Sequence, residues 1–128
     1  MTYRLATGTT FLAAILITSS SLDAHHGAAA FDLAHSTTLR ATVTRFHWAN
    51  PHALITFSAA AADGGSEEWT AETAGPVILV RAGWTKTTLK VGDQVTIVGQ
   101  PAKNGSRTML LQRVIFADGR ELTSFIPR

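Results

Sequence analysis

Two adjacent histidines, His25 and His26, are the residues of this sequence with the clearest capacity for chemistry. Cleavage of the chain after Ala24 would make His25 the amino terminus, where its α-amine and ring Nδ1 can chelate one metal ion. A third nitrogen from the folded body would complete a T-shaped site of the kind called a histidine brace. A nitrogen-rich site without thiolates suits Cu(II), which also leads the divalent affinity series. Alternatively, both histidines are only polar residues at a mobile terminus.

His52 is the predicted third ligand. It follows Asn50 and a proline, and its position has the opposite parity to the apolar residues of the strand that begins there, so its side chain should point away from the core. Glu72 has the polar parity of the next strand, and antiparallel pairing would bring its carboxylate close enough to orient the imidazole. Alternatively, His52 bonds to a loop carbonyl. His47 and His35 are weaker candidates. Every such ligand must be a neutral imidazole, so metal binding should weaken as the pH falls.

Aromatic and carboxylate side chains offer a second kind of site. Trp48, Trp69 and Trp84 could form a stacking platform for a sugar, a base or another flat ligand, but we favour core positions for these tryptophans. The spacing of the carboxylates specifies no hydrolase pair. The sequence also has no Gly-rich phosphate loop and no nucleophilic Ser elbow. We therefore expect no enzymatic activity.

The first 24 residues predict export. Arg4 precedes an apolar run over residues 11–17, polar residues follow, and Ala24 ends a cleavage motif, which is the order of a secretory signal peptide. The alternative, a membrane anchor, needs about 20 apolar residues. We expect a periplasmic or secreted protein without a membrane anchor after cleavage. An arm is predicted over residues 25–36 and one folded domain over residues 37–128.

Composition excludes several classes of protein. The chain has 128 residues, enough for one domain, and its 45% hydrophobic and 16% charged residues indicate a folded core. The absence of Cys excludes disulfides, thiolate zinc sites and Cys nucleophiles. The formal net charge is only +2 and no Lys/Arg cluster occurs, so we expect no nucleic-acid partner.

Alternating apolar residues predict strands separated by turn motifs. A change of apolar phase predicts a bulge near Thr44. The predicted strands cover residues 37–48, 53–58, 67–73, 95–99 and 107–117, with a short extra strand through residue 122. A helix should begin at Pro76 and end before Gly83, with Ile78, Leu79 and Ala82 on its apolar side. In the fifth strand, Leu110, Val114 and Phe116 are expected to point inward.

This order of elements predicts a mainly β fold. Three strands, a short helix, two strands and a terminal extra strand are the order of an OB-like barrel. We expect five to six antiparallel strands with the helix between the third and fourth. Another small barrel or a sandwich remains an alternative.

Several short motifs, taken together, resemble a known family. They are His25-His26-Gly27, Phe31-Asp32, Asn50-Pro51-His52, Trp69-x-x-Glu72, Arg81-x-Gly83-Trp84, Leu89-Lys90-x-Gly92-Asp93 and Asp118-Gly119. In this order they resemble a family of small exported bacterial proteins classed as a domain of unknown function. The resemblance implies export and a small β-barrel. The family has no established activity that the resemblance could assign to this chain. Ala41 stands where the family pattern leads us to expect glycine.

Two functions are compatible with these observations. The first is a periplasmic metal-binding carrier or accessory protein, with copper as the expected metal and His25, His26 and His52 as ligands. The second is a metal-independent binding module whose partner is an unknown periplasmic protein or a small ligand. In that case the loop around Asn50 would form the contact surface, with Trp48 and Trp84.

Overall fold

The structure, a computed structural model, describes residues 27–124. These residues contain six strands, one short helix between the third and fourth strands, and a helical turn over residues 27–29. The predicted signal peptide, His25 and His26 lie outside these residues. The elements are β1 (Thr37–His47), β2 (Leu54–Ala60), β3 (Ser66–Glu72), α1 (Pro76–Arg81), β4 (Gln94–Pro101), β5 (Thr108–Phe116) and β6 (Glu121–Thr123).

The first five strands close into a barrel. Around the ring, β1 pairs with β2, β2 with β3, β3 with β5, β5 with β4, and β4 with β1. The pairing of β3 with β5 is parallel, from Thr70 opposite Thr108 to Glu72 opposite Leu110. The prediction of an entirely antiparallel barrel is therefore wrong, because a ring with an odd number of strands cannot alternate direction throughout. The mainly β architecture and the helix between β3 and β4 are as predicted, and they are compatible with an OB-like barrel.

Two bulges bend the barrel. The register of β1 with β2 shifts between Val43 and Arg45, which confirms the predicted bulge. A second shift, between β4 and β5, leaves Gln112 as an extra residue of β5. This second bulge reverses the inward parity of β5, so that Met109 and Leu111 are buried. The prediction that Leu110 points inward is therefore wrong.

The barrel interior is filled by apolar residues of all five strands. The predicted inward residues of β2 are confirmed, since Ala53, Ile55 and Phe57 are fully buried. The helix and the loop after it close one end with Leu79 and Trp84. The other large apolar side chains that are fully buried are Ile97, Met109, Leu111, Val43 and Val114.

Helix α1 begins at Pro76, whose missing N–H has no helical partner in the first turn. After the helix, Gly83 adopts a φ of +93°, a left-handed conformation that glycine accommodates. Leu79 is buried as predicted, but Ile78 is 42% exposed, so the predicted apolar side is wrong at that residue. Leu79 is the residue of this helix that packs into the barrel, and its neighbour Ile78 therefore lies at the surface.

The arm docks on the end of β4. Phe31 forms an isolated bridge with Ala102 and is only 6% exposed. Backbone bonds on both sides hold it, because Asp32 N donates to Pro101 O and Lys103 N donates to Ala30 O. The single aromatic residue of the arm thus fixes residues 27–36 on the barrel.

Candidate functional site

The candidate site lies where β2 begins and β3 ends. Backbone bonds continue the β2–β3 ladder past its last pair, since Thr73 N donates to Ala53 O at 3.0 Å and Ala53 N donates to Ala74 O at 3.4 Å. This extension brings His52 beside the carbonyl of Thr73. The Nδ1 of His52 lies 2.9 Å from that oxygen. A carbonyl oxygen can only accept, so Nδ1 carries the proton that it donates.

Glu72 faces the other ring nitrogen. Its Oε1 lies 3.6 Å from Nε2 of His52. The side chain of His52 is 49% exposed and that of Glu72 is 31% exposed, so both reach solvent. The sequence is compatible with two arrangements of His52, a bond to a loop carbonyl and a neighbouring Glu72 carboxylate. The structure shows both: the imidazole bonds to the carbonyl, and the carboxylate lies beside it.

This pair can contribute two donors to a metal ion. Two ligand atoms at about 2.0 Å from a metal are about 2.8 Å apart in the square-planar geometry of Cu(II) and about 3.4 Å apart in a tetrahedral site. The Nε2 and Oε1 atoms, 3.6 Å apart, match the tetrahedral separation more closely. A carbonyl that fixes Nδ1–H also leaves the lone pair of Nε2 available for a metal. Within residues 27–124, no group of three or more His, Asp or Glu side chains could hold an ion.

The remaining histidines of the described chain lie apart from this pair. His47 pairs with Leu54, which pairs with Glu72, so Leu54 separates His47 from the carboxylate on the same outer face. Two strand spacings amount to roughly 9.6 Å. His35 lies in the arm, where its Nδ1 is 2.7 Å from Asp32 Oδ2. That hydrogen bond is the main cause that lowers the pKa of Asp32 below its ordinary value.

Trp84 and Trp48 have different positions. Trp84 is 1% exposed and donates its Nε1 proton to Thr123 O at 2.8 Å, so it is a core residue, the position that we favoured. Trp48 is partly buried and packs edge-on against Phe46, with ring centroids 5.7 Å apart. Asn50 is exposed in the loop beside His52. Of the predicted contact residues, Asn50 is exposed and Trp48 is partly exposed, whereas Trp84 is buried.

A buried polar cluster that we did not predict supports the site from behind. Thr73 Oγ1 donates to a backbone carbonyl, that of Ala53 at 3.0 Å or of Ala74 at 2.8 Å. Ala74 N donates to Ser124 Oγ at 2.9 Å. Both hydroxyl residues are buried, and together they hold the backbone whose carbonyl accepts from His52. No sequence pattern indicates this cluster, because Ser124 is 50 residues away from Ala74.

A shallow groove of about 560 Å³ crosses the outer face of β1, β4 and β5. Its polar and charged lining residues are Arg40, Thr42, Gln94 and Thr96. The groove lies on other strands than the His52–Glu72 pair. It is a separate surface on which a ligand could lie.

The pairing of β2 with β3 explains how His52 and Glu72 come together. Comparisons with known proteins identify the family to which the chain belongs. Within residues 27–124, no helix has both the length and the apolar character needed to cross a membrane. The chain matches no curated protein and no solved structure. Residues 13–112 match the model of DUF6152, a family of unknown function. Since this match covers most of the sequence, the chain belongs to that family of unknown function.

Proposed function

We propose that this protein is an exported metal-binding protein whose metal is copper. Its ligands are His25 and His26 at the mature amino terminus, together with His52 of the barrel. Residues 1–24 act as a signal peptide, so the mature protein works in the periplasm or outside the cell. Its role is to carry or buffer the metal, or to deliver it to a partner protein.

The observation that carries this proposal is the orientation of His52. The hydrogen bond from Nδ1 to Thr73 O directs Nε2 toward solvent, with Glu72 Oε1 at 3.6 Å. A ligand that is already oriented loses less conformational freedom when it binds a metal. His52 supplies one nitrogen donor of the proposed copper site, and the carboxylate of Glu72 lies beside that donor. The α-amine and imidazole of His25 are the nitrogens that would complete it.

The decisive experiment is a Cu(II) titration of protein exported with its own signal peptide. Intact mass first establishes whether the chain begins at His25, and electron paramagnetic resonance reports the ligand set. We expect one nitrogen-rich site that binds Cu(II) at least tenfold more tightly than a His-His-Gly peptide. The affinity should fall as the pH is lowered through the range in which imidazole becomes protonated.

Three substitutions distinguish the proposed ligands from a histidine that does not bind the metal. His25→Ala and His52→Ala should each weaken binding to the level of the peptide, whereas His47→Ala should leave it unchanged. His47 is the matched control because it is exposed and lies beyond Leu54 on the same outer face. Wild-type affinity equal to that of the peptide would contradict the proposal. Retained affinity in His52→Ala would remove His52 from the site.

The groove on β1, β4 and β5 favours a second candidate function, a metal-independent binding module. Arg40 and the polar residues beside it suit a ligand with anionic or hydroxyl groups. An extra amino-terminal Met, which blocks the α-amine of His25, distinguishes the two functions. It should abolish tight Cu(II) binding if the metal proposal holds. Under the alternative, Cu(II) binds no more tightly than to the peptide, with or without this Met.

A further inference from the structure

The groove on β1, β4 and β5 continues into a second depression. This second depression, of about 490 Å³, extends to two turns, over residues 87–93 and 118–120. The two depressions share four lining residues, which are Gln94, Val95, Phe116 and Ala117, and we call the combined depression the long groove. It crosses three strands, so it extends about 10 Å across the sheet before it reaches the turns. The long groove therefore has room for a ligand that is itself a chain.

Both signs of charge line the long groove. Arg40, Lys90 and Arg120 are positive, whereas Asp93 and Asp118 are negative. The carboxylates belong to the same turns as two of the cations, since Lys90 N donates to Asp93 Oδ2 and Arg120 N donates to Asp118 Oδ1, both at 2.9 Å. A strongly anionic ligand would meet two like charges here, and a cationic ligand would meet three. The lining therefore favours a ligand without net charge.

The same side chains differ in their hydrogen-bonding roles. Arginine and lysine only donate and carboxylates only accept, whereas Gln94, Thr42 and Thr96 can do both. A hydroxyl group also donates one hydrogen bond and accepts others. A ligand with many hydroxyl groups can therefore bond to every polar side chain of this lining.

Apolar side chains lie between these polar groups. Ile115 and Phe116 line the groove and are partly buried. The guanidinium carbon of Arg120 lies 4.4 Å from the centroid of the Phe116 ring, an arrangement that holds its donors beside the apolar strip. Sugar rings present apolar C–H groups next to their hydroxyls and so match such a strip. Because pockets for small molecules are usually concave and enclosing, a shallow groove suits an extended chain of sugars better than a single one.

We propose that the long groove binds a neutral, linear oligosaccharide. Its hydroxyl groups bond to Gln94, Thr96 and the charged residues, and the C–H faces of its rings pack on Ile115 and Phe116. The proposal rests on the second candidate function, a metal-independent binding module, and names the class of its ligand. It does not depend on copper binding.

Carbohydrate titrations followed by NMR test this proposal. The exported protein is labelled with ¹⁵N and kept free of metal ions with EDTA. Cellotetraose, maltotetraose and tetra-N-acetylchitotetraose are added in separate titrations, because the lining does not specify a linkage. We expect at least one of them to shift the amide signals of Gln94, Thr96 and Phe116, whereas that of Thr56 on β2 should not move. If none of the three shifts the groove signals, the proposal is wrong.

Matched variants test the role of the lining. Thr96→Val removes a hydroxyl from the outer face of β4, and we expect it to weaken binding of the sugar at least fivefold. Thr56→Val makes the same change at a partly buried position on the outer face of β2 and should bind like the wild type. Gln94→Ala, at an exposed position that both depressions share, should also weaken binding at least fivefold. Wild-type affinity in both groove variants would overturn the proposal.

Charged probes separate the class of ligand from the function of the groove. Tetraglutamate and tetralysine should leave the groove signals unchanged, because each meets like charges there. If tetraglutamate shifts these signals and no sugar does, the groove is a binding surface but its assignment to oligosaccharides is wrong. If no probe shifts them, the assignment is wrong and the groove does not support the binding-module function either.

Discussion

The Nδ1 atom of His52 lies 2.9 Å from the carbonyl oxygen of Thr73, so the backbone that follows β3 orients the ring at the start of β2. Thr73 is itself fixed by its side-chain hydroxyl, which bonds to the backbone. The imidazole therefore has a defined direction although half of its surface is exposed. The carboxylate of Glu72, one residue before Thr73, faces Nε2, the other ring nitrogen of His52.

The tautomer of His52 follows from this bond. Because the carbonyl of Thr73 accepts a proton from Nδ1, neutral His52 should carry its hydrogen on Nδ1 and a lone pair on Nε2. Long-range ¹H–¹⁵N correlation spectra recorded at alkaline pH distinguish the two tautomers. The exposed His47, for which no such bond is found in the described part of the chain, is the internal reference. A predominant Nε2–H tautomer of His52 would contradict the expected hydrogen bond.

Ser124→Ala should destabilise the protein by about 1–3 kcal/mol, because it leaves the buried N–H of Ala74 without its acceptor. Urea unfolding followed by tryptophan fluorescence measures this loss. Ser66→Ala is the matched control, since Ser66 is exposed at the start of β3 and its substitution should change stability by less than about 0.5 kcal/mol. Equal stability of the two variants would mean that the hydroxyl of Ser124 makes no net contribution.

Gly99→Ala should also be destabilising, by about 1–3 kcal/mol. A Cβ atom at Gly99 would lie 2.7 Å from Leu110 O and 2.8 Å from Met109 Sδ, so β4 and β5 would have to separate near their bulge. Gly27→Ala is the control, because a Cβ atom there meets nothing within 4 Å. The midpoints of thermal unfolding of both variants test this expectation. An unchanged Tm in Gly99→Ala would show that the strands adjust without cost.

The arm should respond to acid through Asp32. The hydrogen bond from His35 lowers the pKa of Asp32 below the ordinary value of 3.8. An Asp with a lowered folded-state pKa adds stability that is complete above its unfolded pKa and is lost as the pH falls through the folded pKa. Hence this contribution should disappear only below pH 3.8.

The carboxyl carbon shift of Asp32, followed by NMR against pH, measures this pKa directly. His35→Ala should raise the midpoint toward the ordinary value. Lys103→Ala should raise it much less, because the charge of Lys103 is the smallest of the causes that act on Asp32. A midpoint that His35→Ala does not move would show that the pair is not formed in solution.

Local pattern was sufficient to predict most of the strands and part of the candidate site. The parity of β2 places Ala53, Ile55 and Phe57 in the core and turns His52 away from it. The same period of two on the neighbouring strand places Glu72 on the outer side, so an antiparallel pairing of adjacent strands brings it near His52. These features depend on residues close in sequence, which is why a single sequence determines them.

Tertiary structure alone decided the features that join distant segments. The parallel β3–β5 pair follows from closing an odd number of strands, and the bulge at Gln112, which turns Leu110 outward, depends on how β4 and β5 pair. The exposure of Ile78 depends on which face of α1 meets the barrel. The Ala74–Ser124 bond joins residues 50 positions apart. Periodicity describes which residues share a face of one element, whereas the direction of strand pairing and the partner of a buried hydroxyl depend on the packing of the whole barrel.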